Sequence, residues 1–477
     1  MPFNSLPYLG FLTGAASVYW LLPPRFRRVF VLLASLAFYM SWGAVFVWLP
    51  LVVAGAVYLF GGQIHRDAAG ARKWMWTGIV FVLGLLVFFK YRSFILLNFS
   101  LLAREIGAHP VSLAMSVAFP VGISFYTFEA IAYFVDVRQG RVAAPKLMDL
   151  CLFFMFWPNI LSGPIVRARE LAPQLNFRKA FEPRFVFEGM DRVIWGLVQK
   201  NVIANMLGMW VDRGFSPGTP GAPSTIDSWF LAIAFALQIY FDFAGYTSMA
   251  IGAARLLGVT LPENFRQPYH AATPPEFWSR WHMTLSRWIR DYLFFPLNAK
   301  WHGSPVPLYF SLIGAMALVG LWHGAGWNYL AWGFLHGVYL VAYRIYEAWK
   351  AEHSVPGTSR LVATMGRVLT LIGVLGAWVV FRASSLSKAG VVLASMFYRF
   401  GGGRAFGGGF YVFTLGVVLF CALEPFILRR LTEMEAAAGA NGLSPIRIVG
   451  RPIAYLSGLL LFLLFDENNM QFIYSQF

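Results

Sequence analysis

The chain carries only two cysteines in 477 residues, Cys151 and Cys421. That count excludes a disulfide framework and a zinc site built on cysteines. Both lie in apolar surroundings and read as inert buried thiols rather than nucleophiles. No metal site is expected. Charge is also scarce. Only 13% of residues are charged, where a soluble domain averages about 25%. With 58% hydrophobic residues, one soluble core could not hide so much apolar surface, whereas a bilayer would solvate the outer faces. Acidic residues are fewer than basic ones, 22 against 38, giving a net charge of +16. No basic stretch is long enough to form a separate nucleic-acid-binding domain. The excess fits the Lys and Arg that gather in membrane loops and beside anionic headgroups.

The first residues, MPFNSLPYLGFLTGAASVYWLL, lack a positive leader and a small-residue cleavage site, so they read as a retained first membrane segment. Strand-like alternation, internal repeats and a flexible tether are also missing. A β-barrel is thereby excluded, and one domain over 1–477 is expected.

What is present is a series of about a dozen apolar stretches, each near the ~20 residues that a crossing needs. They fall near 5–24, 29–60 (as two short pieces turning at Trp42 and Gly43), 75–89, 111–135, 147–165 and 190–211. Others lie near 228–254, 306–325, 327–343, 361–381, 410–428 and 452–466. Short basic linkers follow both odd and even segments and leave the topology open.

Polar groups inside such stretches carry the information, because each is costly unless paired or facing a cavity. Val306–Tyr343 contains no Asp, Glu, Lys or Arg, yet it holds His323 in GLWHGAGW and His336 in WGFLHGV. Each histidine is followed by glycine, which admits close approach. Asp242 in QIYFDFAGY and Glu129 in FYTFEAIAY are carboxylates in apolar runs. They serve either a functional path or a structural partner, an Arg or a tyrosine hydroxyl. The segment 277–292, FWSRWHMTLSRWIRDY, reads as one amphipathic helix. Phe277, Trp281, Leu285, Trp288 and Tyr292 would share one face, opposite Arg280, Thr284, Arg287 and Asp291, with Arg290 beside them and His282 near the border. Such a helix either lies at the membrane interface or lines a hydrated cavity.

The ordered motifs FPVGISFYTFE, SGPIVR, YFDFAGY, ENFRQPY, FWSRWHMTLSRWIRDY, GLWHGA, WGFLHG and WVVFR resemble the membrane-bound O-acyltransferase (MBOAT) family. The similarity is to its bacterial branch of alginate O-acetyltransferase-like proteins, and it runs to the final FIYSQF. Two positions depart from that branch: Thr247-Ser248 stand where it often has Ser-Asp, and Pro158-Asn159 where it often has Pro-His. The resemblance implies an all-α polytopic membrane protein, a ring of roughly 11–13 helices around a thinned centre with a tunnel. It implies His323 as the catalytic histidine and His282 as a second important one. Trp322, His336, Asp242, Arg280, Arg287, Arg290 and Asp291 are candidates to line the tunnel or bind substrate. No cofactor would be resident. Acetyl-coenzyme A or another acyl thioester would be the donor. The acceptor would be an extracytoplasmic polysaccharide of the alginate, cellulose or peptidoglycan type, reached through a serine-hydrolase-like protein. The place would be the bacterial inner membrane.

Acetyl transfer from a thioester to an alcohol needs a base and an oxyanion stabiliser, and histidine suits the first task. No nucleophile-elbow signature is present, which favours direct transfer with His323 as base. His282 is left with three roles: orienting the acceptor, polarising the thioester carbonyl or relaying a proton. A transporter, or a scaffold of a polysaccharide export machine, is the competing reading; inverted repeats would favour the former.

Overall fold

The computed structural model describes residues 1–107, 119–143, 146–161, 163–216, 223–299, 305–353, 359–401, 405–437 and 449–465. Ser162, the 111–118 part of one expected span and the terminal 472–477 motif lie outside the described residues. Helices make up the regular structure of the described residues. Seven are long and apolar enough to cross a membrane: Pro24–Phe46, Trp48–Arg66, Ala71–Glu105, Thr225–Leu256, Val306–His323, Arg360–Arg382 and Gly408–Arg430. Their outward side chains are apolar. Val80, Phe310, Leu369 and Val412 are each at least 65% exposed, a surface that only lipid would solvate. The chain is a multi-pass, all-α membrane protein.

The chain divides into two compact units. The first comprises Met1–Met190, Ala250–Glu263 and Arg287–Pro296. Its helix Leu6–Leu21 starts at Ser5, whose hydroxyl accepts the Tyr8 N–H, and Pro7 fits the first turn. Pro24–Gly43 and Trp48–Arg66 are joined by a tight turn at Ala44–Phe46. The turn falls where the sequence places it, but each flanking helix is full length rather than a short piece. Gly43 leaves the helical region there, with φ 170° and ψ 92°, and the three-residue turn leads straight into the next helix, so neither span is shortened. A second difference concerns 147–165. Among the described residues there, only Leu147–Met155 is helical, and 156–161 and 163–167 are irregular. Pro158 and Pro164 remove backbone donors there. Gly122, at φ +83°, starts Ile123–Arg138 with its α-carbon so close to Ile160 that an added Cβ would sit 2.4 Å from the Ile160 carbonyl oxygen. That position needs glycine on both counts.

The second unit comprises Asp191–Met249, Asn264–Ser286 and Leu297–Phe477. Pro305–His323 and Trp327–Glu352 form a hairpin. Small residues let the two backbones touch. A Cβ on Gly320 would lie 2.1 Å from the Tyr329 carbonyl oxygen, and one on Gly333 would lie 2.2 Å from that of Met316. A second close crossing pairs Gly196 with Gly245, whose Cβ atoms would lie 2.6 and 2.8 Å from the other's carbonyl oxygen. Beside it the helix widens over Val198–Ala204, a local change of pitch frequent at functional sites.

The amphipathic helix expected over 277–292 is not continuous. Pro274–Arg280 and Met283–Ile289 are separate short helices, broken at Trp281 and His282. Asn264 causes the break by taking the donors that a continuing helix would use. Its carbonyl oxygen accepts the Met283 N–H at 2.9 Å, and its side-chain oxygen accepts the Thr284 N–H at 3.2 Å. His282 turns to φ +42°, a left-handed conformation that costs a non-glycine residue about 1–3 kcal/mol and marks functional sites.

Candidate functional site

His323 ends the first arm of the hairpin, and the glycines that follow allow the turn to Trp327. Asn328 fixes the turn by donating to the carbonyl oxygens of Phe381 and Ala383 at 3.2 and 3.3 Å. The Arg360–Arg382 helix is thereby held against the hairpin and brings Trp378 and Phe381 to it. The His323 ring meets Trp332 edge-on at 5.1 Å and Phe381 at 5.7 Å between centroids. Trp332 stacks on Trp378 at 5.5 Å. The sequence neighbour Trp322 completes that side.

The helix break delivers His282 to the same place. Its ring lies 6.5 Å from that of His323, 5.8 Å from Trp322 and 4.7 Å from Phe243. Both histidines are buried, at 0% and 2% exposure. Burial pushes the His282 imidazole down to about 3, so it is neutral at physiological pH. Its Nδ1 lies 3.1 Å from Asn264 Oδ1, and its Nε2 has no hydrogen-bond partner among the described residues. The structure thus brings the two candidate catalytic histidines, His282 and His323, beside the tunnel candidate Trp322.

His336 stands further back. It packs on Trp332 at 4.9 Å, on Trp278 at 5.1 Å and flat on Phe277 at 6.0 Å. Trp332 separates it from His323 and touches both. Four indole N–H groups in this aromatic shell, those of Trp278, Trp281, Trp332 and Trp378, are buried with no acceptor among the described residues. Each can only donate.

Other predicted residues sort elsewhere. Asp242 pairs with Lys200 at 2.5 Å, and both side chains are buried. The departing residue Ser248 donates to Gln199 beside them at 3.2 Å. Arg280 is half-buried and bonds Glu276 one turn away at 2.7 Å. Arg287, Arg290 and Asp291 belong to the first unit. There Asp291 is gripped by Arg167 and by Arg290, the latter at 2.8 Å, and the Arg287 carbonyl oxygen accepts from Arg167. Tyr292 donates to Asp136 at 2.9 Å. Glu129 accepts from the departing residue Asn159 at 2.9 Å. The first unit thus holds an ionic constellation, and the second holds the Lys200–Asp242 pair and an aromatic cluster with three buried histidines.

Sequence reasoning missed Asn264, Lys200, Arg167, Trp332, Trp378 and Phe381. Lys200 had a signal, an ammonium inside the predicted 190–211 span. Asn264 and Arg167 lie in quoted motifs, ENFRQPY and SGPIVR, but nothing in their spacing names their partners.

Residues 68–386 match the family model of MBOAT, the membrane-bound O-acyltransferase family. The chain is 36% identical over 404 residues to the probable alginate O-acetylase AlgI of Azotobacter vinelandii, covering 83% of this chain and 78% of that protein. It is 34% identical over 414 residues to the peptidoglycan O-acetyltransferase of Helicobacter pylori, covering 78% and 74%. The teichoic acid D-alanyltransferase of Bacillus subtilis is 29% identical over 264 residues, covering 52% and 65%. A charge-poor helical hairpin ending in a buried histidine and a family match across most of the chain lead to one conclusion: the chain belongs to the membrane-bound O-acyltransferase family and is an O-acyltransferase.

Proposed function

We propose that this protein is the membrane component of an extracytoplasmic polysaccharide O-acetylation system, seated in the bacterial inner membrane, with acetyl-coenzyme A or a related thioester as its cytoplasmic donor. The observation that carries this reading is the meeting of His282 and His323, 6.5 Å apart between ring centroids, inside a buried shell of indoles. His323 takes the proton of the accepting hydroxyl as its oxygen bonds the thioester carbonyl carbon. The oxyanion then collapses, the carbon–sulfur bond breaks, and the thiolate recovers the proton from His323. Indole N–H groups with no acceptor among the described residues supply donors for the developing oxyanion, and they act most strongly where water is excluded. Support for the acceptor class comes from relatives whose names record alginate and peptidoglycan as substrates.

The arrangement also favours a hand-over. The long polar stretches near 166–190 and 345–360 are too short for a folded sugar-binding domain. The acetyl group would therefore pass to a serine-hydrolase-like protein outside, which acetylates the polymer. Reconstitution in liposomes tests both points, with acetyl-coenzyme A on one side and polysaccharide on the other. Acetylated polymer is expected only when the second protein is added. Efficient acetylation without it would refute the hand-over, and no thioester consumption with any acceptor would refute the donor.

A further inference from the structure

The proton on His282 can be placed from its neighbours. The Thr284 backbone N–H, which can only donate, points at one terminal atom of the Asn264 amide at 3.2 Å. That atom must therefore be the oxygen, since an amide nitrogen there would face donor with donor. The Thr284 hydroxyl donates to the same oxygen at 2.9 Å. His282 Nδ1 lies 3.1 Å from this oxygen, and an oxygen that can only accept requires Nδ1 to carry the hydrogen. A neutral imidazole has one hydrogen, so Nε2 is left as a bare lone pair. Burial favours the neutral ring, which keeps a second proton off Nε2. Nε2 is itself fully buried and has no partner among the described residues.

We infer that Asn264 is a positioning residue that holds His282 in the Nδ1–H tautomer, so that His282 Nε2 meets the reacting groups as an acceptor only and donates no hydrogen to the thioester carbonyl. This rests on the acyl-transfer reading above and deepens it. Of the three roles the sequence leaves open for His282, polarising the carbonyl is removed, because a neutral Nε2 has nothing to donate. Oxyanion stabilisation then falls to other donors, the Trp332 indole N–H beside His323 among them. The helix break belongs to the same device. Asn264 binds the N–H of Met283, and its side chain binds that of Thr284, so the residue that bends the chain at His282 also sets its tautomer.

The test combines a spectroscopic and a kinetic readout. In full-length protein labelled with ¹⁵N-histidine in nanodiscs, the His282 resonances are those lost in His282→Gln. They are expected to show a protonated Nδ1 and an unprotonated Nε2. A hydrogen on Nε2 in the wild type overturns the inference. Asn264→Ala should shift the hydrogen toward Nε2 and lower kcat about 10–100-fold, the range seen when a metal-bound imidazole loses its orienting partner, with KM for the thioester little changed. Asn264→Asp, whose carboxylate still accepts from Nδ1–H and from the Thr284 N–H, should retain the tautomer and recover most of kcat. A folded Asn264→Ala that keeps both the Nδ1–H form and wild-type kcat would also overturn it. If Asn264→Ala does not fold, the wild-type spectrum and Asn264→Asp still decide. The tautomer is read without any reaction, so a failed acyl-transfer reading would leave it standing, and a wrong tautomer would leave acyl transfer intact.

Discussion

Lys200 Nζ lies 2.5 Å from a carboxylate oxygen of Asp242, and neither side chain is more than 2% exposed. A pair this deep gains Coulomb energy but gives up hydration of both ions, and its balance is often near neutral against apolar residues of similar volume. Breaking one side is different, because an uncompensated charge remains. Lys200→Met is therefore expected to cost about 3–5 kcal/mol. The double variant Lys200→Met with Asp242→Leu should recover most of that loss. Thermal unfolding of the three proteins in detergent checks it, and a double variant less stable than Lys200→Met would show that the pair does more than cancel charge.

The hairpin that carries His323 depends on missing side chains. A Cβ at Gly333 would sit 2.2 Å from the Met316 carbonyl oxygen, closer than any real contact. Both helices would have to separate, and overpacking of this kind costs about 1–3 kcal/mol or more. Gly333→Val should reduce folded yield and displace His323 from its aromatic shell. Gly84→Ala is the control, since nothing lies within 4 Å of the added carbon. Equal yields of the two variants by size-exclusion chromatography would refute the backbone contact.

How much of this was legible depends on whether the signal is local. The hairpin of Pro305–His323 and Trp327–Glu352 could be read because 306–343 is free of charged residues across both arms, with glycines at the turn. Period-based reading failed over 277–292, where a residue 18 positions earlier, Asn264, withdraws backbone donors and breaks the helix. Hydrophobic periodicity reports faces, not hydrogen bonds from distant residues. Asp242 was recognised as costly, but its partner is Lys200, brought near by the Gly196–Gly245 crossing, and no local pattern encodes that pairing. The histidine roles came from resemblance. The geometry added Asn264, Trp332 and Phe381 to them.

Asp291 offers a pH test in the first unit. Burial raises its carboxyl, but hydrogen bonds and charge from Arg290 and Arg167 outweigh that, and the net effect holds it below the ordinary carboxylate value. A depressed folded pKa means that the unfolded chain binds protons first. The stability it contributes is fully present above the unfolded value of about 3.9 and is lost as pH falls through the lower folded one. Asp291→Asn should thus be less stable than the wild type at neutral pH, and the gap should close below about pH 4. Melting temperatures of both proteins in detergent from pH 3 to 7 measure this; a gap unchanged at acid pH would mean that the ion pair with Arg167 is not its source.

The last prediction separates the three buried histidines by what they touch. His323 and His282 face each other across 6.5 Å, while His336 reaches His323 only through Trp332, with ring distances of 4.9 and 5.1 Å on its two sides. If His323 is the base, His323→Ala removes proton transfer and should lower kcat by about 10²–10⁴ with the protein still folded. His282→Ala should also lower kcat, since the site loses the Nε2 acceptor that stands beside His323. His336→Phe keeps a ring against Trp332, Trp278 and Phe277 and gives up only polar atoms. It should preserve the packing and most of kcat, whereas His336→Ala should lower thermal stability by leaving a cavity behind Trp332. Acetyl release from acetyl-coenzyme A by each purified variant, set beside its melting temperature, gives the comparison. If His336→Phe loses as much activity as His323→Ala at unchanged stability, His336 belongs to the reaction itself and the division drawn at Trp332 is wrong.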